Sequence, residues 1–139
     1  MKFFYIMLML FLMPFAQAQN AQFTLLAPAA STAAQINSAD VVNTYYRGVH
    51  IVVTVTNYVS GSYTVTIQGK NNATGSYYDL LVSSAITANG QTVLKVYPGI
   101  PGSAGGASSD FLPHTWRVQL NGASSPNMTV AVDAMLAGG

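Results

Sequence analysis

Alternation of side-chain character from residue 22 onward is the feature that most limits what this chain can fold into. Val49, Ile51, Val53 and Val55 alternate with His50, Val52, Thr54 and Thr56. Successive side chains of a strand point to opposite faces, so this run presents one apolar surface and one more polar surface to a sheet. Tyr63, Val65 and Ile67 repeat the pattern against Thr64, Thr66 and Gln68. No stretch of about twelve residues in this part of the chain carries the apolar stripe of an amphipathic helix.

Turn signals divide the pattern into short strands. Ser60-Gly61 between the two runs above predicts an antiparallel hairpin. Gln22 to Ala27 reads as a first strand, and the small-residue stretch Pro28 to Ser38 is undecided. Lys70 to Ser76 holds two Asn and a Gly, residues that accept the left-handed backbone of tight turns, and Tyr77 to Ser83 follows as a strand. Ala88-Asn89-Gly90-Gln91 is a turn leading into Thr92 to Tyr97, and Pro98 to Ser109 is rich enough in Pro and Gly to be a long loop. His114 to Leu120 and Met128 to Leu136 complete the set, with Trp116, Val118 and Leu120 on one face of the first and Met128, Val130, Val132, Ala134 and Leu136 on one face of the second. Strands at this spacing predict an all-β fold, a single antiparallel β-sandwich of jelly-roll or immunoglobulin-like type with about six to eight strands.

The N-terminus has a different character. Lys2 precedes the apolar run Phe3 to Met13, then Pro14 and Phe15, and Ala16-Gln17-Ala18 supplies a small-x-small cleavage site. Phe3 to Ala16 is shorter than the roughly twenty apolar residues that span a bilayer. Residues 1–18 are therefore expected to be a signal peptide cut after Ala18, or else a retained hydrophobic anchor. Residues 19–139 form one domain, large enough to hold a core without metal or disulfide, and the chain has no Cys. Cleavage would export the domain to the periplasm or the extracellular space.

Charge narrows the function. Only 6% of residues are charged, against about 25% in ordinary globular domains. Beyond Lys2, four Lys and Arg balance four Asp, and there is no Glu. Nucleic-acid binding needs clustered cations to displace counterions from phosphates, so no nucleic-acid partner is expected. Acid–base catalysis lacks groups for the same reason. A neutral, Thr-rich exterior suits a subunit packed among copies of itself.

Several groups invite a chemical reading. Ser108, Ser109, Asp110 and His114 contain the residue types of a nucleophile system, but no nucleophile-elbow motif surrounds them, and Asp110 reads better as a turn cap after the Gly-rich loop. His50 and His114 stand in separate strands without a nearby ligand pair, so neither a metal nor a cofactor is expected, and His50 is placed on the polar face of its strand. The matches to the glycosylation acceptor pattern at Asn72-Ala73-Thr74 and Asn127-Met128-Thr129 carry no weight in a chain this rich in Asn and Thr.

The aromatics carry more. Tyr joins an apolar ring to a polar tip, which suits a subunit contact, a sugar platform or the edge of a core. Tyr45-Tyr46 and Tyr77-Tyr78 are adjacent pairs, so one member of each is expected to point outward, and Tyr45, Tyr46, Tyr77, Tyr78 and Tyr97 are the candidate interface residues. Trp116, which shares a face with Val118 and Leu120, is expected in the core.

The strand and turn text also resembles a family of small tailed-bacteriophage virion structural proteins. The matching stretches are Arg47-Gly48-Val49-His50-Ile51-Val52-Val53, Thr64-Val65-Thr66-Ile67-Gln68-Gly69-Lys70, Gly75-Ser76-Tyr77-Tyr78-Asp79-Leu80-Leu81, Ser84-Ala85-Ile86-Thr87-Ala88, Leu94-Lys95-Val96-Tyr97-Pro98-Gly99 and Leu112-Pro113-His114-Thr115-Trp116-Arg117-Val118. The resemblance spans about residues 22–136, carries no catalytic signature, and leaves the signal-like segment outside it. It implies a non-enzymatic virion subunit, a capsid decoration or tail-associated β-sandwich that binds other virion proteins or copies of itself. A second expectation is an exported carbohydrate-binding or adhesion module, whose partner is a glycan held by exposed Tyr residues and the Pro98 to Ser109 loop.

Overall fold

The computed structural model describes residues 21–138, and every regular element among them is a strand. In chain order these are β1 (Ala21–Ser31), β2 (Gln35–Asn37), β3 (Val41–Val42), β4 (Gly48–Lys70), β5 (Tyr77–Val82), β6 (Gly90–Val96), β7 (Ala107–Ser108) and β8 (Thr115–Ala137). Hydrogen bonding joins all eight into one mixed sheet, antiparallel except where β7 runs parallel to β6. The all-β expectation and the strand number hold. Ala16, Ala18 and the rest of residues 1–18 lie outside the described residues.

The pairing corrects one expectation. Val49–Thr56 and Tyr63–Gln68 do not form a hairpin: both belong to β4, and both pair with β8. Val49 to Thr56 lies opposite Leu136 to Thr129, and Ser62 to Gly69 lies opposite Ala123 to Trp116, with register shifts between Thr56 and Ser62. His114 to Leu120 and Met128 to Leu136 are likewise two halves of the single strand β8, which begins at Thr115. Asn57 at φ 58° and Gly61 at φ 74° kink β4, while Ser124 at φ 55° and Ser125 at φ 53° kink β8 opposite. Bulges of this kind bend a strand without reversing it.

The kink leaves the facing of side chains unchanged. Odd-numbered residues point inward on both sides of it in β4, and even-numbered residues do so in β8. Two flanks result. One is built from β1, the second half of β8, the first half of β4, β6 and β7; the other from β2, β3, the first half of β8, the second half of β4 and β5. Their inward side chains meet in one buried cluster that contains Ile51, Val53, Leu94 and Val132 from the first flank and Tyr63, Ile67, Trp116 and Leu120 from the second. Trp116 is fully buried, as expected.

The edges of the sheet are handled differently. Pro98 to Ser109 is not free loop: it contains β7, and the Lys95 and Tyr97 amides donate to the Gly106 and Ser108 carbonyls at 2.9 and 3.1 Å, covering the edge of β6. The undecided stretch Pro28 to Ser38 continues β1 to Ser31 and then forms β2. Around Pro28, β1 slips register twice against β8, between Thr24 and Leu26 and between Leu26 and Ala29.

Candidate interaction surfaces

Bending at mid-strand returns both ends of β4 and β8 to one side of the molecule, where two short segments join them. Val42 pairs with Thr115, and the Arg47 amide donates to the Ala137 carbonyl at 3.0 Å, so residues 43–47 bridge the two flanks. Asn43 holds this bridge. Its buried Nδ2 donates to the carbonyls of Tyr46 and Leu112 at 2.8 and 3.2 Å, and its Oδ1 accepts from the Tyr46 amide at 3.0 Å. The Asn43 amide also donates to the His114 carbonyl at 2.7 Å, and the Leu112 amide to the Arg47 carbonyl at 2.8 Å. Residues 43–47 and 111–114 are thereby laced together.

This pair of loops presents apolar groups to solvent. Tyr45 is 86% exposed, Phe111 66% and Val42 65%. The expectation that one member of each Tyr pair points outward is met at this pair, since Tyr46 packs against the core. Because the backbone carrying these side chains is already tied, ordering them in any contact would cost little further entropy.

Of the remaining candidate tyrosines, Tyr97 and Tyr77 hydrogen-bond within the chain, while Tyr78 is 45% exposed. The Tyr97 hydroxyl donates to the Gly138 carbonyl at 3.2 Å, and its ring lies against Gly48, at the same end as Tyr45. Tyr78 pairs with Gly69 and lays its ring across the space a side chain would fill there. Tyr77 stands on the outer face of the second flank. The Arg117 guanidinium covers its ring at 3.5 Å from the centroid, Lys70 Nζ lies 5.2 Å from it, and its hydroxyl donates to Asp40 Oδ1 at 2.7 Å. Lys70 and Asp40 form an ion pair at 2.7 Å. The hydrogen bond from Lys70, and then that from Tyr77, holds the Asp40 carboxyl below the usual carboxylate range.

A ladder of amides continues from Tyr77 across the same face. Arg117 Nε donates to Gln68 Oε1 at 2.9 Å, Gln68 Nε2 to Asp79 Oδ1 at 2.9 Å, and Gln119 Nε2 to Asn37 Oδ1 at 2.9 Å. Four of the eight charged residues beyond Lys2 therefore gather here: Asp40, Lys70, Asp79 and Arg117. Sequence reading missed this cluster and also missed Val42, Asn43 and Phe111. The outward aromatic next to the turn-capping Asp110 was the one signal for Phe111.

The groups considered for chemistry are not brought together. Ser109 Oγ accepts from the Gly99 amide at 3.1 Å, Asp110 Oδ1 accepts from the Phe111 amide at 2.8 Å as a turn cap, and His114 Nδ1 lies 2.8 Å from the Asn43 carbonyl. A carbonyl only accepts, so Nδ1 carries the proton. His50 sits on the outward face of β4 opposite Lys95, and burial, then the Lys95 charge, lowers its pKa. Among the described residues no three His or Asp side chains sit close enough to hold a metal ion.

The register slips of β1 have a consequence for the surface. Where β1 parts from β8 around Pro28, an open apolar cleft of about 230 Å³ remains between β1 and β2, lined chiefly by Leu26, Ala29, Ala30, Ile36 and Val130. A second hollow, of about 220 Å³, is more polar and lies along residues 85–92.

No family model matches the chain, and no curated protein sequence matches it. Among solved structures, the chain is similar to the crystal structure of the SPBc2 prophage-derived protein YomS, with a TM-score of 0.49 and 12% sequence identity over 85% of this chain and 92% of that one.

Proposed function

We propose that this protein is a non-enzymatic structural subunit of a bacteriophage virion, a capsid decoration or tail-associated β-sandwich that works by self-association or by docking onto the particle. The observation that carries the reading is the exposure of three apolar side chains, Val42 at the end of β3 and Tyr45 and Phe111 on the loops clamped by Asn43, with exposed Arg47 beside them. The shared core between the two flanks supports the sandwich description, and the stretch-by-stretch resemblance to virion proteins supports the location. Partners under this reading are other virion proteins and copies of the chain itself.

Contacts made by these apolar side chains are expected to be little affected by salt, because screening acts on charged pairs. Particle attachment and oligomers are expected to survive a change from low to molar sodium chloride. Replacing Tyr45 by Ala is expected to weaken them by about 1–2 kcal/mol. Dissociation in salt, or full attachment of the Tyr45→Ala variant, would count against the reading.

The open ring of Tyr45 also fits an exported carbohydrate-binding or adhesion module, since an uncovered aromatic face is what a sugar stacks on. The two readings separate on one measurement. A chain that stays monomeric, binds a glycan array and has no affinity for particles is an adhesion module.

A further inference from the structure

Beyond Lys2 the chain has few charges, and its own side chains hold most of them. Lys70 pairs with Asp40, Asp79 and Arg117 bond to Gln68, Asp133 accepts from Thr24, and Lys95 lies on β6 opposite His50. Arg47 and Asp110 are left over. Arg47 is exposed, and its guanidinium has no ion pair or hydrogen bond among the described residues. Asp110 forms no ion pair either, and its carboxylate is engaged only at Oδ1, by the Phe111 amide. The Leu112 amide donates to the Arg47 carbonyl at 2.8 Å, so Arg47 and Asp110 lie at the same end of the laced loops. One free charge of each sign therefore stands beside the exposed side chains of Tyr45 and Phe111.

We propose that a second copy of this chain docks on this end in a twofold contact, in which Arg47 of each copy faces Asp110 of the other and the Tyr45 and Phe111 side chains are covered between them. The inference rests on the self-association reading above and names the residues that orient it. A twofold rotation brings the same patch of both copies together, so that if one residue meets a second, the second meets the first. A patch with a single sign of charge repels itself under that rotation. A patch with an adjacent base and acid is matched twice, and this self-complementarity is what singles out another copy as the partner. Exposed ion pairs contribute little by themselves, so the apolar side chains supply the affinity and salt has little effect. The charges fix the orientation, because setting like charges against each other is costly.

Charge reversal reads the contact directly. Arg47→Asp sets acid against acid at both positions of a homodimer, and Asp110→Arg sets base against base. Each variant alone is expected to self-associate about tenfold more weakly than the native chain in analytical ultracentrifugation. The decisive sample is an equimolar mixture of the two. Every acid of one copy then meets a base of the other, so heterodimers are expected with an affinity within about threefold of the native one. Asp110→Arg also removes the cap on the Phe111 amide, so a second rescue keeps an acceptor there: Arg47→Asp combined with Asp110→Asn abolishes the clash of acids and is expected to associate more tightly than Arg47→Asp alone. Circular dichroism checks that each variant is folded. Native oligomers that neither reversal weakens would overturn the proposed contact and leave self-association standing. Reversals that weaken association and are relieved by neither rescue would also overturn the contact. A native chain that is monomeric at every concentration would overturn self-association as well.

Discussion

The Arg117 guanidinium lies 3.5 Å from the centroid of the Tyr77 ring, and the hydroxyl of the same ring donates to Asp40. Tyr77 therefore ties β5 to β8 and to the segment between β2 and β3 within one chain. This matters for any mutational search for an interface, because replacing Tyr77 perturbs the chain's own packing first.

Arg117→Ala should lower the stability of the isolated chain by about 1–2 kcal/mol. A partly exposed cation–π contact contributes about 0.5–1 kcal/mol, and the hydrogen bond to Gln68 adds to it. Arg117→Lys should recover little of the loss, because a Lys ammonium has no planar group to stack on the ring. Urea denaturation of the two variants checks this, and full rescue by Lys would mean that charge alone matters.

Acid should act in two steps. The Asp40 pKa is lowered in the folded state, so its contribution is present above the unfolded value near 3.8 and is lost as pH falls through the folded value. The His50 pKa is also lowered, which means that the unfolded chain takes up the proton more readily, and stability declines as pH drops below the ordinary value of 6.5. Denaturation midpoints measured across this range should lose the lower step in Asp40→Asn and the upper step in His50→Gln. An unchanged profile in either variant would remove that group from the account.

The bend of the long ribbon can be tested by crosslinking. Ser62 of β4 stands opposite Ala123 of β8. Cα atoms of directly opposed antiparallel residues are about 4.5–5.5 Å apart, within disulfide range. The chain has no Cys of its own. The double substitution Ser62→Cys, Ala123→Cys should therefore form a disulfide on oxidation, detected as a thiol-free monomer by mass spectrometry. Gly61→Ala should cost about 2–4 kcal/mol, since Gly61 has φ 74° and a Cβ there would come within 2.6 Å of Pro126 Cα.

What was legible in the sequence divides along the same line. The inward faces of Val49 to Val55, Tyr63 to Ile67 and Met128 to Leu136 could be read because strand alternation is local. The partners of those faces could not. Ser60-Gly61 carries the residue types of a turn, yet the direction taken by the chain is set by the opposing kink at Ser124 and Ser125, and Ser gives no advance signal of positive φ. At the surface, Tyr45 was legible as the outward member of an adjacent pair. Asn43 was not, because the Leu112 carbonyl it clamps lies 69 residues away and becomes a neighbour only in the folded chain. Covering of Tyr77 by Arg117 is hidden for the same reason.

Trp116 provides a last check on the core. It is fully buried, and its Nε1 is the buried side-chain polar atom among the described residues that has no hydrogen-bond partner. An unpaired buried donor costs about 1–3 kcal/mol of desolvation. Trp116→Phe removes that donor while keeping a ring, so the lost packing is partly offset. The expected destabilisation is about 1–2 kcal/mol, against about 3–5 kcal/mol for Trp116→Ala, which leaves a cavity. As the only Trp in the chain, it also reports directly: its emission should be blue-shifted in the folded protein and move to the red in the same denaturant transition that circular dichroism follows. If Trp116→Phe costs as much as Trp116→Ala, the indole N–H is satisfied in solution by a buried water, and the offset argued here does not exist.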